Sequence, residues 1–312
     1  MKKFILLSTV AIFAFLSFQF KPVDAPKTEE ELGKLLFFDN ILSADKSISC
    51  ASCHKPNYAF ADTSAFSVGV GGKLGNRNTP SAMNMFARDF LFWDGRAKSL
   101  EEQALGPIEN PVEMNLPIAE AVKRLNESES YKKYFKTIYK ENPSKENLAK
   151  AISAFERTLE TSNSAFDKWA DDTLAISESA RRGRRIFVDK AKCFECHFGP
   201  DFTVDEFRNI GLYNEKEYTD KGRYEVTKDK KDIGKFKVPG LRNVAVTAPY
   251  MHNGSFKTLR DVIEYYNEPS KFTKGSINRD TLITEKLNLS EQEKQDIEAF
   301  LLSLTDKQFL KQ

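Results

Sequence analysis

Two short stretches decide how this chain reads: Cys50-Ala51-Ser52-Cys53-His54 and Cys193-Phe194-Glu195-Cys196-His197. Together they consume all four cysteines and two of the three histidines in 312 residues. Cys-x-x-Cys-His is the attachment sequence of c-type haem, in which two thiols add across the porphyrin vinyl groups and the adjacent imidazole becomes the proximal iron ligand. Two intervening residues let both thiols reach one macrocycle edge, and the next residue then projects its ring over the iron. A thioredoxin-like redox pair, a zinc site made from the four thiolates and two local disulfides compete for the cysteines. None of these requires the histidines, and at this His content a His after both pairs arises by chance roughly once in ten thousand. The reading is two covalently attached haem c groups, ligated through His54 and His197.

The surrounding sequence repeats in the same order. Gly33-Lys-Leu-Leu-Phe-Phe matches Gly183-Arg-Arg-Ile-Phe-Val, each shortly before a haem motif. Arg77-Asn78 then matches Arg242-Asn243, and Trp93-Asp94-Gly95-Arg96 matches His252-Asn253-Gly254-Ser255. Ile152 to Leu159 corresponds to Ile297 to Leu304 at an offset of 145. Two copies with so long a period describe an internal duplication rather than a solenoid. The expected fold is mainly α: two cytochrome c-like haem domains, 26–165 and 166–312, with long loops and little strand. Thr28 with Glu31, and Ser290 with Glu293, form capping-box patterns ahead of apolar periods and predict amphipathic helices. Ser67 to Asn78 and Gly211 to Gly240 lack such a period and read as long ordered loops, a length expected of segments that wrap a large cofactor.

Ahead of the first domain, Lys2 and Lys3 precede an apolar run from Phe4 to Phe20 and the small-residue site Val23-Asp24-Ala25. Residues 1–25 read as an export signal, with an uncleaved membrane anchor as the alternative. Export predicts a periplasmic protein in an oxidising compartment, where haem attachment takes place. No Cys follows the run, which argues against a lipoprotein. A 40% hydrophobic and 29% charged composition excludes a disordered chain and a multi-span membrane protein. The 47 basic residues against 45 acidic are interspersed, so no nucleic-acid partner is expected.

Function turns on the sixth iron ligand, because electron transfer and peroxide reduction use the same group. With His54 and His197 committed, His252, the methionines and the tyrosines remain for two distal positions. Two filled positions describe a non-enzymatic electron carrier, and one open position describes a site for peroxide.

The chain resembles the bacterial di-haem cytochrome c peroxidases and MauG, a di-haem enzyme that oxidises a protein substrate. The resemblance rests on Gly33 to Phe38, both haem motifs, Arg77-Asn-Thr-Pro80, Phe92-Trp-Asp-Gly-Arg-Ala97, Gly106 to Met114, Val238 to Val244 and Ala248-Pro-Tyr-Met-His-Asn-Gly254. It implies a peroxide-reacting N-terminal haem, a C-terminal haem that relays electrons, and Trp93 between them. It also implies Glu113 as the distal acid, with Gln103 and Pro107 in the same pocket; moving a proton between peroxide oxygens is general acid/base work. Many relatives carry a distal His in the glycine-rich loop, whereas Ser67 to Asn78 has none, so the His54 haem is expected to be open. Typical peroxidases carry an axial Met about four helical turns beyond the His matching His252. Here that position is Tyr266, as in MauG, with Met251 and Met114 as alternatives. The resemblance further implies His252 against the C-terminal haem and calcium held by Asn78, Thr247 and Pro249. The expected partners are hydrogen peroxide and a small electron donor, a cytochrome c or cupredoxin. A protein substrate is the alternative, with a homodimer in the peroxidase case.

Overall fold

The computed structural model describes residues 25–169, 172, 174–283 and 286–310. The export segment expected at 1–25 lies outside these apart from its last residue. Among the described residues eleven α-helices follow in order: α1 (Glu29–Phe38), α2 (Cys50–Cys53), α3 (Leu100–Glu109), α4 (Ile118–Glu127), α5 (Glu129–Tyr139), α6 (Lys145–Arg157), α7 (Ala165–Lys168), α8 (Glu178–Val188), α9 (Tyr224–Thr227), α10 (Leu259–Asn267) and α11 (Glu291–Leu302). The fold is thus mainly helical, as expected, and the strands among the described residues are the two-residue pair β1 (Phe207–Arg208) and β2 (Phe236–Lys237). They run antiparallel with Phe207 opposite Lys237.

Both capping patterns start helices. Thr28 Oγ1 accepts from Glu31 N at 3.3 Å, while the Glu31 carboxylate reaches one residue further back, to Lys27 N at 2.7 Å. Ser290 and Glu293 close the full reciprocal box. Each capped helix then buries an apolar stripe, Leu32, Leu36 and Phe37 on α1 and Ile297, Phe300 and Leu301 on α11.

The duplication sets the packing. Helix α1 crosses α6 at Gly33, where an added Cβ would lie 1.8 Å from Ala151 O. Helix α8 crosses α11 at Gly183, where the same atom would lie 1.8 Å from Asp296 O. The backbones approach so closely that only a residue without a Cβ fits either crossing. Beside each crossing an aromatic pair repeats: Phe37 meets Phe155, and Phe187 meets Phe300, both at 5.1 Å between centroids and 63° between planes. Two cores result. One gathers Leu36, Ile108, Leu125, Phe135, Leu148 and Ile152, and receives Phe309 from the far end of the chain. The other gathers Phe187, Phe202, Ile263, Ile297, Phe300 and Leu304.

The two long loops differ from each other. Residues 67–78 form a Gly-rich turn, with Gly71 and Gly72 at φ +69° and +74° and a bridge between Val68 and Leu74. Residues 211–240 hold more regular structure than the sequence pattern suggests, namely α9 and β2. This second loop joins the halves. Arg77 Nε and Nη2 donate to the Asp220 carboxylate at 2.7 and 2.8 Å, and Arg223 Nη1 donates to the carbonyls of Asp94 and Gly95 at 2.8 Å each.

Candidate haem and peroxide site

Helix α2 is a single turn, which places Cys50 and Cys53 on one side and ends with His54 N donating to Cys50 O at 2.9 Å. The His54 ring is oriented by Nδ1, which lies 2.9 Å from Phe60 O. A carbonyl only accepts, so the proton sits on Nδ1 and Nε2 presents its lone pair. The second motif repeats this arrangement. His197 N donates to Cys193 O at 2.9 Å, and His197 Nδ1 donates to Phe202 O at 3.0 Å. Burial pushes both imidazole pKa values down and holds the rings neutral, the form that ligates iron.

Each motif opens on its own cavity. The N-terminal cavity, about 480 Å³, is lined by Cys50, Cys53, His54, Gln103, Pro107 and Glu113. The C-terminal cavity, about 290 Å³, is lined by Cys193, Cys196, His197, His252 and Tyr266. None of the four cysteines is paired in a disulfide. The two pairs line different cavities, so a single four-thiolate zinc site does not form. A bare imidazole nitrogen, two thiols one turn apart and an adjoining cavity suit a covalently held macrocycle, and the residues present fit haem c in both halves.

On the wall of the N-terminal cavity, Glu113 Oε1 accepts from Asn110 Nδ2 at 2.7 Å. Burial raises the Glu113 pKa, and nearby Arg96 and the Asn110 bond oppose that rise. The histidine-free loop is fastened to this carboxylate's own backbone, with Val70 N donating to Glu113 O at 2.8 Å. Gln103, on α3, reaches the same cavity, and its amide has no hydrogen-bond partner among the described residues.

Trp93 lines both cavities, together with Asn78, Thr79, Pro80, Ser81, Met85 and Phe92. Its Nε1 donates to Asn78 O at 2.8 Å, and its carbonyl accepts from Lys237 N at 2.8 Å. Trp93 is therefore held from both halves of the molecule, its indole by Asn78 and its backbone by Lys237.

In the C-terminal cavity the adjacent tyrosines of α10 separate. Tyr265 is buried and donates to Ile210 O at 2.7 Å. Tyr266 lines the cavity, and its hydroxyl has no hydrogen-bond partner among the described residues. Burial pushes the Tyr266 phenol well above its ordinary value. Met251 lines this cavity as well, whereas Met114 is buried in the first core and lines the other cavity. His252 stacks on Phe236 at 3.7 Å, and burial lowers it to about 4 against the pull of Asp220. Asn78, Thr247 and Pro249 meet along the same cavity, with Pro249 behind a cis peptide bond. Asn78 Nδ2 donates to Ser64 O at 3.1 Å, leaving Oδ1 free of hydrogen bonds among the described residues.

Two further groups on these walls were not singled out from sequence. Lys237 is 8% exposed beside Trp93, and burial lowers it to about 8. Glu156 is 7% exposed in the N-terminal cavity. The signal for Glu156 is its position, since it occupies the apolar stripe of Ile152, Phe155 and Leu159. Lys237 leaves no comparable trace in the sequence.

A duplicated pair of haem-binding folds with an acid beside one of them defines a c-type di-haem oxidoreductase. The family described as di-haem cytochrome c peroxidase matches residues 27–174. Methylamine utilization protein MauG of Methylophilus methylotrophus is 37% identical over 291 residues, covering 91% of this chain and 84% of that protein. Cytochrome c peroxidase Ccp of Escherichia coli (strain K12) is 42% identical over 250 residues, covering 78% of this chain and 53% of that protein. A crystal structure of a MauG-like protein associated with microbial copper homeostasis aligns with a TM-score of 0.82 at 33% identity, covering 92% of each chain. The chain belongs to the di-haem cytochrome c peroxidase family. It is a haem c oxidoreductase of the peroxidase type, with peroxide as electron acceptor.

Proposed function

We propose that hydrogen peroxide is reduced to water in the His54 cavity, with electrons entering through the His197 and Tyr266 side from a periplasmic cytochrome c or cupredoxin. The observation that carries this reading is the half-buried Glu113 carboxyl on the same cavity wall as the lone pair of His54. When bound, haem iron supplies the redox chemistry that breaks the O–O bond. With haem held by Cys50, Cys53 and His54, Glu113 would take a proton from one peroxide oxygen and hand it to the other, which would leave as water; two electrons from the donor and two protons from solvent would turn the remaining oxygen into the second water. Its raised pKa suits a group that must both take and give a proton. The unpartnered Gln103 amide orients the peroxide by hydrogen bonding. Trp93, touching both cavities, would carry electrons between them, and Tyr266 would hold the iron on the relay side.

Asn78, with the carbonyls of Thr247 and Pro249, supplies neutral oxygen donors for calcium between the halves, with water completing the shell. These carbonyls accept no backbone hydrogen bond among the described residues, which supports that assignment.

A second reading draws the reducing equivalents from a Tyr or Trp of a partner protein, as the likeness to MauG suggests. Tyr266 on the relay side and the histidine-free loop at 67–78 favour it. Stopped-flow spectroscopy of the fully oxidised holoprotein separates the two. The peroxidase reading expects a direct reaction with peroxide and rapid recovery on adding reduced cytochrome c. Reaction without recovery by any small donor supports the second reading, and no reaction with peroxide removes both.

A further inference from the structure

Glu156 is a buried acid that the peroxide chemistry above does not use. It lies on α6 at 7% exposure, and neither of its carboxylate oxygens has a hydrogen-bond partner among the described residues. Oε2 is wholly enclosed, and the residue lines the cavity of Cys50 and His54. The charged and titratable groups that bear on it are few. Cys50 faces it from α2, Glu101 from α3, and Arg157 follows it on α6; Glu113 lies on the wall of the same cavity. Arg157 is itself occupied by Glu101 at 2.7 Å, and Glu156 forms no ion pair among the described residues.

The duplication supplies an internal control. At the offset of 145 the residue matching Glu156 is Leu301, 6% exposed in the second core. Ile152, Phe155 and Leu159 likewise match Ile297, Phe300 and Leu304. Helix packing in this fold is therefore met by leucine, and the carboxyl belongs to the N-terminal half alone. An unpartnered carboxylate in a low-dielectric site is costly, and negative charge added nearby increases that cost until a proton is bound.

We propose that Glu156 is a proton-holding group of the N-terminal haem pocket, binding one proton from solvent when an electron arrives there and releasing it when the electron leaves. The electron comes from the electrode, through a low-potential mediator, in the titration below, and iron would pass from ferric to ferrous as the carboxylate becomes a carboxylic acid. Charge in the pocket is thereby unchanged by the pair of transfers. Burial raises the carboxyl to about 8, which brings its titration into the working range. The inference rests on haem c being held at Cys50, Cys53 and His54, and it does not involve peroxide.

The test is a spectroelectrochemical titration of the two-haem protein without peroxide, between about pH 6 and about pH 10. At fixed potential, the reduced-to-oxidised ratio of the His54 haem is expected to fall by up to tenfold per pH unit in the wild type. Glu156→Gln and Glu156→Leu, the latter restoring the residue of the other half, should level that dependence. Glu156→Asp keeps a carboxyl and should move it along the pH axis. A wild-type ratio that is flat, or a slope that persists unchanged in these variants, overturns the proposal. Peroxide turnover is measured separately, so loss of turnover with the slope retained removes the peroxidase reading and leaves this one standing.

Discussion

At the residue scale, His54 and His197 are fitted for their proposed role as iron ligands by a bond made through Nδ1. Phe60 O and Phe202 O hold the Nδ1 protons, fixing tautomer and ring orientation together, and leave Nε2 for iron. Glu113 is prepared differently, by burial that favours its protonated form and one amide bond that steadies it. Glu113→Gln keeps the shape and the Asn110 contact but cannot shuttle a proton. It should retain both haems and lose about a hundredfold to ten-thousandfold in peroxide turnover, measured by steady-state oxidation of reduced cytochrome c. Tyr266→Phe removes a hydroxyl that has no other partner among the described residues. The absorption and electron paramagnetic resonance spectra of the C-terminal haem should change, while those of the N-terminal haem stay the same; identical spectra would exclude Tyr266 as a ligand.

At the element scale, each half is organised by one close helix crossing. Alanine at Gly33 or Gly183 would drive a methyl group into a backbone carbonyl, a contact that no rotamer change relieves. Either variant should lose about 1–3 kcal/mol or more of stability, read from denaturant midpoints of the holoprotein. The α8–α11 crossing also carries an ion pair. Arg182 Nε and Nη2 donate to Asp296 at 2.8 Å each and, with Ser179 and Gln292, hold its carboxyl at about 2 rather than 3.8. A depressed carboxylate pKa stabilises the folded state above the unfolded value, and that contribution fades as pH falls towards the folded one. The wild type should therefore lose stability on acidification from 3.8 to about 2, with a shallower loss in Asp296→Asn.

At the scale of the whole molecule, two cavities share one wall and a set of charges holds the halves against it. Arg77 joins Asp94 of its own half at 2.5 Å and Asp220 of the other at 2.7 Å. Truncating Arg77 leaves two partly buried carboxylates short of a cation. Because Asp220 is 25% exposed, Arg77→Ala should cost about 2–3 kcal/mol rather than the full cost of breaking a buried pair. Denaturant unfolding followed separately at the two haems should show their transitions moving apart. Coincident, unshifted transitions would show that Arg77 does not hold the halves together.

The haem motifs, the duplication and the capped helices were legible in the sequence because each is written in local spacing. Two cysteines one turn apart, a glycine ahead of each motif and a period of apolar residues carry their meaning without knowledge of the rest of the chain. Trp93 and Glu113 could be named from their motifs, yet their common boundary with the cavities depends on residues far apart in sequence. Only tertiary structure decided that Tyr265 is tied to Ile210 O while Tyr266 faces the cavity, since both occupy the same helical turn. Glu156 is the clearest division between the two levels. Its place on an apolar stripe is visible in sequence, but its lack of a hydrogen-bond partner among the described residues is a property of every element packed around it, and those elements meet only when the chain is folded.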